Sequence, residues 1–169
     1  MRVRYAPAMG KISRRLDELG LTLPPPLDPP PGVVLPFEFV HLVGGRAIVS
    51  GHGPQAPDGS FAGPFGRVGD EVTVDEAYES ARLTALSMLG SLERALGDLD
   101  RIVGWGRVFG MVWSAPDFHR QPAVINGFSD LILELFGPEA GAHARSAVGM
   151  ASLPFRIPVE IEADLSISP

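Results

Sequence analysis

A chain of 169 residues is long enough for one domain with a real core and too short for two ordinary ones. Its net charge of −6, with no Lys/Arg cluster, leaves no electrostatic footprint for nucleic acid, whose phosphates it would repel. The absence of cysteine excludes a disulfide framework, a thiol nucleophile and a Cys-based zinc site.

The opening Met1-Arg2-Val3-Arg4-Tyr5-Ala6-Pro7 lacks the apolar core of a signal peptide, and no apolar run approaches a membrane span. A soluble, cytoplasmic protein is expected. Lys11 to Leu19 reads as a short helix, with Ile12, Leu16 and Leu19 on one stripe and Gly20 as its stop. Six prolines crowd positions 24–31. Proline lacks the N–H and fixes φ, so this segment is a stiff extended arm, either a surface strap or a lid over a neighbouring subunit's pocket. The division expected is a helix plus arm over 1–35 and a folded domain over 36–169.

Phe37 to Val43 and Arg46 to Gly51 are two apolar runs separated by Gly44-Gly45, a composition suited to a two-residue hairpin turn. Pro57-Asp58-Gly59 marks a further turn, with a brief strand around Phe61, and Gly63 to Gly69 is loop. Thr73-Val74-Asp75-Glu76 is a capping box that opens a long helix ending at Leu96-Gly97. Ala77, Ala81, Ala85, Met88, Leu89, Leu92 and Leu96 form its apolar face.

Arg101 to Trp113 reads as a long strand. Period-2 alternation puts Trp105, Phe109, Met111 and Trp113 on one face and Gly104, Gly106 and Gly110 on the other, where a helix or backbone approaches closely. A second helix runs from about Gln121 to Phe136 and stops at Gly137-Pro138. Ala144 to Pro154 and Pro158 to Leu165 are two strands joined by a Pro-bounded turn. In the second, Val159, Ile161, Ala163 and Leu165 face one way and Glu160, Glu162 and Asp164 the other.

The order hairpin, helix, strand, helix, strand, strand is α+β, with two long helices on one face of a mixed six-stranded sheet. Two helices cover one face only. If the other face is apolar, self-association is the economical way to bury it.

Arg145 opens one strand and an acid follows on the strand taken as its neighbour, an arrangement suited to binding a small carboxylate and positioning a water. The alternative is a solvated edge strand with a surface ion pair. None of His41, His52, His119 and His143 has the spacing of a metal site on a helix. Ser50, in Val49-Ser50-Gly51-His52-Gly53, is not on a Gly-x-Ser-x-Gly elbow, and no dinucleotide or phosphate loop is present. A cofactor-free site remains.

The run Ala144-Arg145-Ser146-Ala147-Val148 with Leu153-Pro154 and Val159-Glu160-Ile161-Glu162-Ala163 resembles the C-terminal signature of the RidA/YjgF family of enamine/imine deaminases. Ala47-Ile48-Val49-Ser50-Gly51 is similar to that family's second strand, and Val124-Ile125-Asn126-Gly127 to the start of its second helix. Four separated motifs in order, from about Pro36 to about Leu165, carry the likeness.

The resemblance implies a chorismate-mutase-like trimer with sites in the clefts between subunits. It implies hydrolysis of 2-aminoacrylate or 2-imino acids to 2-keto acids and ammonia. Arg145 would hold the substrate carboxylate and Glu160 would position water. Ser50 and Asn126 would line the pocket, and backbone next to Ala147 would contact the substrate nitrogen. Such chemistry needs no metal, because a protonated imine carbon is already electrophilic.

Two departures stand out: Phe37 follows Pro36 where many members carry tyrosine, and Ala147 replaces a common cysteine. Phe37 and the longer arm also suit a pathway-specific deaminase of a larger, aminomuconate-like enamine. A third reading is a non-catalytic trimer that binds small carboxylates or proteins.

Overall fold

Residues 9–29 and 31–169 are described in a computed structural model of the chain. The first eight residues of the expected N-terminal arm, and Pro30 in the proline run, lie outside them. Helix α1 (Lys11–Glu18) starts at Gly10, which has no capping side chain. Asp100 supplies the cap from across the fold, accepting the Lys11 and Ile12 amides at 2.6 and 2.8 Å. Ile12 and Leu16 are buried, as the stripe requires.

Strands β1 (Val40–Val43) and β2 (Arg46–His52) form the expected hairpin, with Gly44 and Gly45 at φ 57° and 75°. Helix α2 (Val74–Leu96) begins at the capping box: Thr73 accepts the Glu76 amide, and Glu76 accepts the Thr73 amide at 2.8 Å. Strand β3 (Ile102–Trp113) leads to helix α3 (Gln121–Ala140), which breaks at Gly137 (φ 75°, ψ 177°), where the sequence places the stop. Strands β4 (Ala144–Met150) and β5 (Val159–Ile167) complete the fold.

The sheet order is β1-β2-β5-β3-β4. Only β3 and β4 are parallel, and α3 is their crossover. The architecture is the α+β one expected, with α2 and α3 on one sheet face, but the sheet has five strands instead of six. Around Phe61 there is an isolated bridge to Gln55, because Pro57 and Pro64 on either side cannot donate to a ladder.

The helix-facing side buries Ala47, Val49, Val108, Val112, Val159, Ile161 and Leu165 against Ala77, Leu89, Ile125, Phe128 and Ile132. At Gly110 a Cβ would come within 2.6 Å of Ile125, so α3 crosses the sheet where β3 is bare.

Trp105 does not share a face with Phe109, Met111 and Trp113. The β3–β5 register shifts between Trp105 and Arg107, so Gly106 is an extra residue, and Trp105 turns into the core beside Phe128 and Phe136. A bulge inverts the period-2 alternation beyond it.

Pro24 is buried against α2, where its carbonyl accepts Arg94 Nη1 at 3.1 Å. Asp28 donates its amide to the Gly59 carbonyl. The proline arm therefore straps its own chain. Among the described residues no helix is long and apolar enough to cross a membrane.

Candidate active site

At the end of the sheet where β2 stops, a cavity of about 260 Å³ opens between the proline arm, α2 and the start of β5. Its position follows from a second bulge. The β2–β5 register shifts between Val49 and His52, freeing the Ser50-Gly51 segment from regular pairing. The expected strand from Phe37 begins only at Val40. Upstream, the Ser50 amide donates to the Phe39 carbonyl and the Ser50 hydroxyl to the Glu38 carbonyl, at 3.0 and 2.8 Å.

Glu160 projects from β5 across this bulge. A Cβ at Gly51 would collide with its carboxylate, so the glycine is what lets Glu160 lie there. Burial, with Glu162 two residues along as a secondary cause, pushes the Glu160 carboxyl above the usual carboxylate range. Phe37 lines the same cavity, half exposed at its mouth, edge-on to Phe39, which in turn packs against His52.

The buried end of the cavity is polar. His52 is 3% exposed, and burial lowers its pKa from 6.5 to about 4, so its imidazole is neutral. Its Nδ1 faces the Ser50 carbonyl at 2.7 Å and must carry the proton; Nε2 then accepts the Ser91 hydroxyl at 2.9 Å. Arg94 Nη2 donates to the same Ser91 oxygen at 3.1 Å. Beside them Ser87 donates to Gln55 Oε1.

Arg145 is elsewhere. It pairs with Val108, on the helix-facing side of β4, and its guanidinium donates to Ser129 Oγ at 2.9 Å and toward the Pro122 carbonyl at 3.5 Å. Ser129 in turn meets His143 Nε2 at 2.9 Å, and His143 Nδ1 faces the Gly141 carbonyl at 2.8 Å. The carbonyl–His–Ser–Arg chain around His52 is thus repeated around His143. Among the described residues neither guanidinium, that of Arg94 or that of Arg145, forms an ion pair.

Asn126 is exposed on the α3 stripe between Pro122 and Ser129, the two residues that the Arg145 guanidinium meets. Ala147 lies two residues along β4 on the same face as Arg145.

The structure therefore brings the expected residues together in two groups. Phe37 and Glu160 share the cavity, whereas Arg145, Asn126 and Ala147 cluster at the α3–β4 edge. Ser50 belongs to neither: its hydroxyl is committed to Glu38, and it lines a depression on the open sheet face with Arg107 and Glu162. Nor are β4 and β5 neighbours. Strand β3 lies between them, because a parallel β3–β4 pair leaves β5 only the other edge of β3.

No sequence pattern marks His52, Gln55, Ser87, Ser91, Ser129 or His143 as a site residue. Ser80, Thr84, Ser87 and Ser91 do recur at helical spacing on the buried side of α2. Ser80 and Thr84 bond back to their own helix, while Ser87 and Ser91 turn outward to Gln55 and His52. Among the described residues no group of three His, Cys, Asp or Glu is placed to hold a metal ion.

The family described as YjgF/chorismate mutase-like, putative endoribonuclease, matches residues 15–158. Protein TCP17 of Trypanosoma cruzi is 40% identical over 157 residues, covering 92% of this chain and 94% of that protein. The crystal structure of protein Atu1372 from Agrobacterium tumefaciens, of unknown function, is 40% identical, with a TM-score of 0.81 over 93% of this chain and 92% of that one. A putative endoribonuclease from Shewanella oneidensis is 28% identical, with a TM-score of 0.85 over 94% of this chain and all of that one.

Proposed function

Since the chain belongs to the YjgF/chorismate mutase-like family, we propose that it is an enzyme of that family which hydrolyses enamines or imines of 2-amino acids to 2-keto acids and ammonia. The observation that carries the reading is Glu160. It is a carboxylate with a raised pKa, fixed over Gly51 at the mouth of a largely apolar cavity. Such a group takes a proton from water near neutral pH more readily than an ordinary surface carboxylate.

In the proposed reaction Glu160 aims a water at the protonated imine carbon. A C–O bond forms as water gives one proton to the carboxylate, which passes it to nitrogen; the C–N bond then breaks as the new hydroxyl becomes the carbonyl and returns its proton to the carboxylate, releasing ammonia, which leaves with that proton as ammonium. The substrate carboxylate is held by Arg145, whose fork has donors to spare beyond Ser129 and Pro122. Arg145 and Glu160 lie on opposite faces of one sheet, so a site containing both takes one from each of two copies. The proposed assembly is a ring of three, with Asn126 and the backbone beside Ala147 contributed alongside Arg145.

RNA cleavage, which the family description names, fits this chain less well. The net charge of −6 repels phosphates, and the cavity is lined chiefly by apolar side chains.

The test is competition for imines. An amino-acid oxidase generates 2-imino acids while semicarbazide traps them, and the protein is added with Arg145→Ala as control. Lowered semicarbazone formation with wild type and not with the variant supports the reading; no effect of either across all imines overturns it.

A further inference from the structure

The cavity beside Glu160 is larger and differently lined than a three-carbon imino acid requires. An apolar cavity of about 150 Å³ already holds benzene, and this one measures about 260 Å³. The proline arm builds one wall with Leu27 and Leu35, and Phe61 and Phe155, stacked 4.8 Å apart, build another. The mouth is marked by Phe37 and Phe155, 50% and 43% exposed, and the floor by His52, Gln55, Ser87 and Ser91, all buried.

The hydrogens of that floor are all committed. His52 Nδ1–H goes to Ser50, the Ser91 hydroxyl to His52, and the Ser87 hydroxyl to Gln55. The Gln55 amide donates to the carbonyls of Gly59 and Pro25, at 2.9 and 3.4 Å. What remains free is lone pairs on Ser87, Ser91 and Gln55. A floor of acceptors under apolar walls favours a ligand with a flat apolar body and a hydrogen-bond donor at its far end.

Resting on the deaminase reading for the role of Glu160, we propose that the substrate is an imino acid whose side chain is an aryl ring bearing a hydroxyl at its far end. The ring lies between the arm and the Phe61–Phe155 pair, the hydroxyl donates to the floor, and the reacting carbon stays at the mouth beside Glu160.

Binding and turnover are measured separately on the full chain. Calorimetry with 4-hydroxyphenylpyruvate, phenylpyruvate and pyruvate reports the cavity directly, because 2-keto acids are the products. The hydroxylated acid is expected to bind about fivefold tighter than phenylpyruvate and at least about tenfold tighter than pyruvate, the difference one buried hydrogen bond and one buried ring make. Removing the floor's acceptors together, Ser87→Ala with Ser91→Ala and Gln55→Leu, should abolish the preference for the hydroxyl. Leu35→Trp, which fills the ring's space from the arm, should weaken both aryl acids, with thermal melts confirming that each variant folds. Equal binding of the two aryl acids by wild type, or pyruvate binding as tightly as either, overturns the inference. Imine hydrolysis on the same samples separates the two claims. A binding preference without turnover overturns the deaminase reading, and with it the imino acid as substrate, and leaves only the cavity's selection of a hydroxylated aryl ring; turnover without the preference overturns that selection and leaves the deaminase reading.

Discussion

Arg145 and Glu160 occupy opposite faces of the sheet, one strand apart: Arg145 pairs with Val108 on one edge of β3, and Glu160 pairs with Met111 on the other. Their side chains leave in opposite directions, Arg145 to Ser129 of α3 and Glu160 across Gly51 of β2. Each is held in place by its own chain, and neither reaches the other's surroundings within it.

Arg145 is positioned through Ser129 and His143, which makes Ser129 a positioning residue in the proposed reaction. Arg145→Ala should lower kcat/KM by about a hundredfold or more, the scale of losing a bidentate charged contact to substrate. Ser129→Ala leaves the guanidinium present but loosely aimed, so KM should rise about threefold to tenfold while kcat changes little. Steady-state kinetics separate this from a purely structural role, which would lower the melting temperature without splitting KM from kcat.

Gly51 permits the Glu160 carboxylate to lie over the bulge. Gly51→Ala should displace that carboxylate and cut kcat about tenfold to a hundredfold, as expected when a water-positioning group is moved. The strands on either side should remain paired. Loss of kcat with an unchanged circular dichroism spectrum is the expected result.

Because the Glu160 pKa is raised, mainly by burial, its base form is lost as pH falls through a value above the ordinary ~4.3 of glutamate. The acid limb of the kcat/KM profile should therefore lie above the usual carboxylate range. Glu160→Gln should remove that limb together with most of the activity, as read from pH–rate profiles of both proteins.

His52 is neutral and buried, with its pKa lowered from 6.5 to about 4. Between those values the unfolded chain binds a proton that the folded chain refuses, so this residue's contribution to stability is intact above pH 6.5 and lost as pH falls toward 4. The full loss is about 3 kcal/mol on the scale of 1.36 kcal/mol per pKa unit. Urea titrations of wild type and His52→Gln at pH 7 and pH 4.5 should show the variant losing less stability between the two.

Much of this was legible in the chain because it is local. The capping box at Thr73, the Gly44-Gly45 turn, the stop at Gly137 and the alternation from Val159 to Leu165 each rest on a few consecutive residues, and each is found where the pattern places it. What was not legible depends on pairing between distant segments. The Gly106 bulge turned Trp105 into the core, and the insertion of β3 between β4 and β5 moved Arg145 away from Glu160. The polar floor was hidden for the same reason. Ser87 and Ser91 look like ordinary small residues on a buried helix face until Gln55 and His52 are folded onto them.

The central claim, that Arg145 of one copy and Glu160 of another form one site, is tested most directly by mixing Arg145→Ala with Glu160→Gln after subunit exchange and measuring imine hydrolysis. Each variant alone should be nearly inactive. In a ring of three assembled at random from equal amounts, about a quarter of the interfaces join an intact Arg145 to an intact Glu160, so activity should return to about a quarter of wild type. A mixture as inactive as its two parents, beside an active wild type, would contradict the shared site.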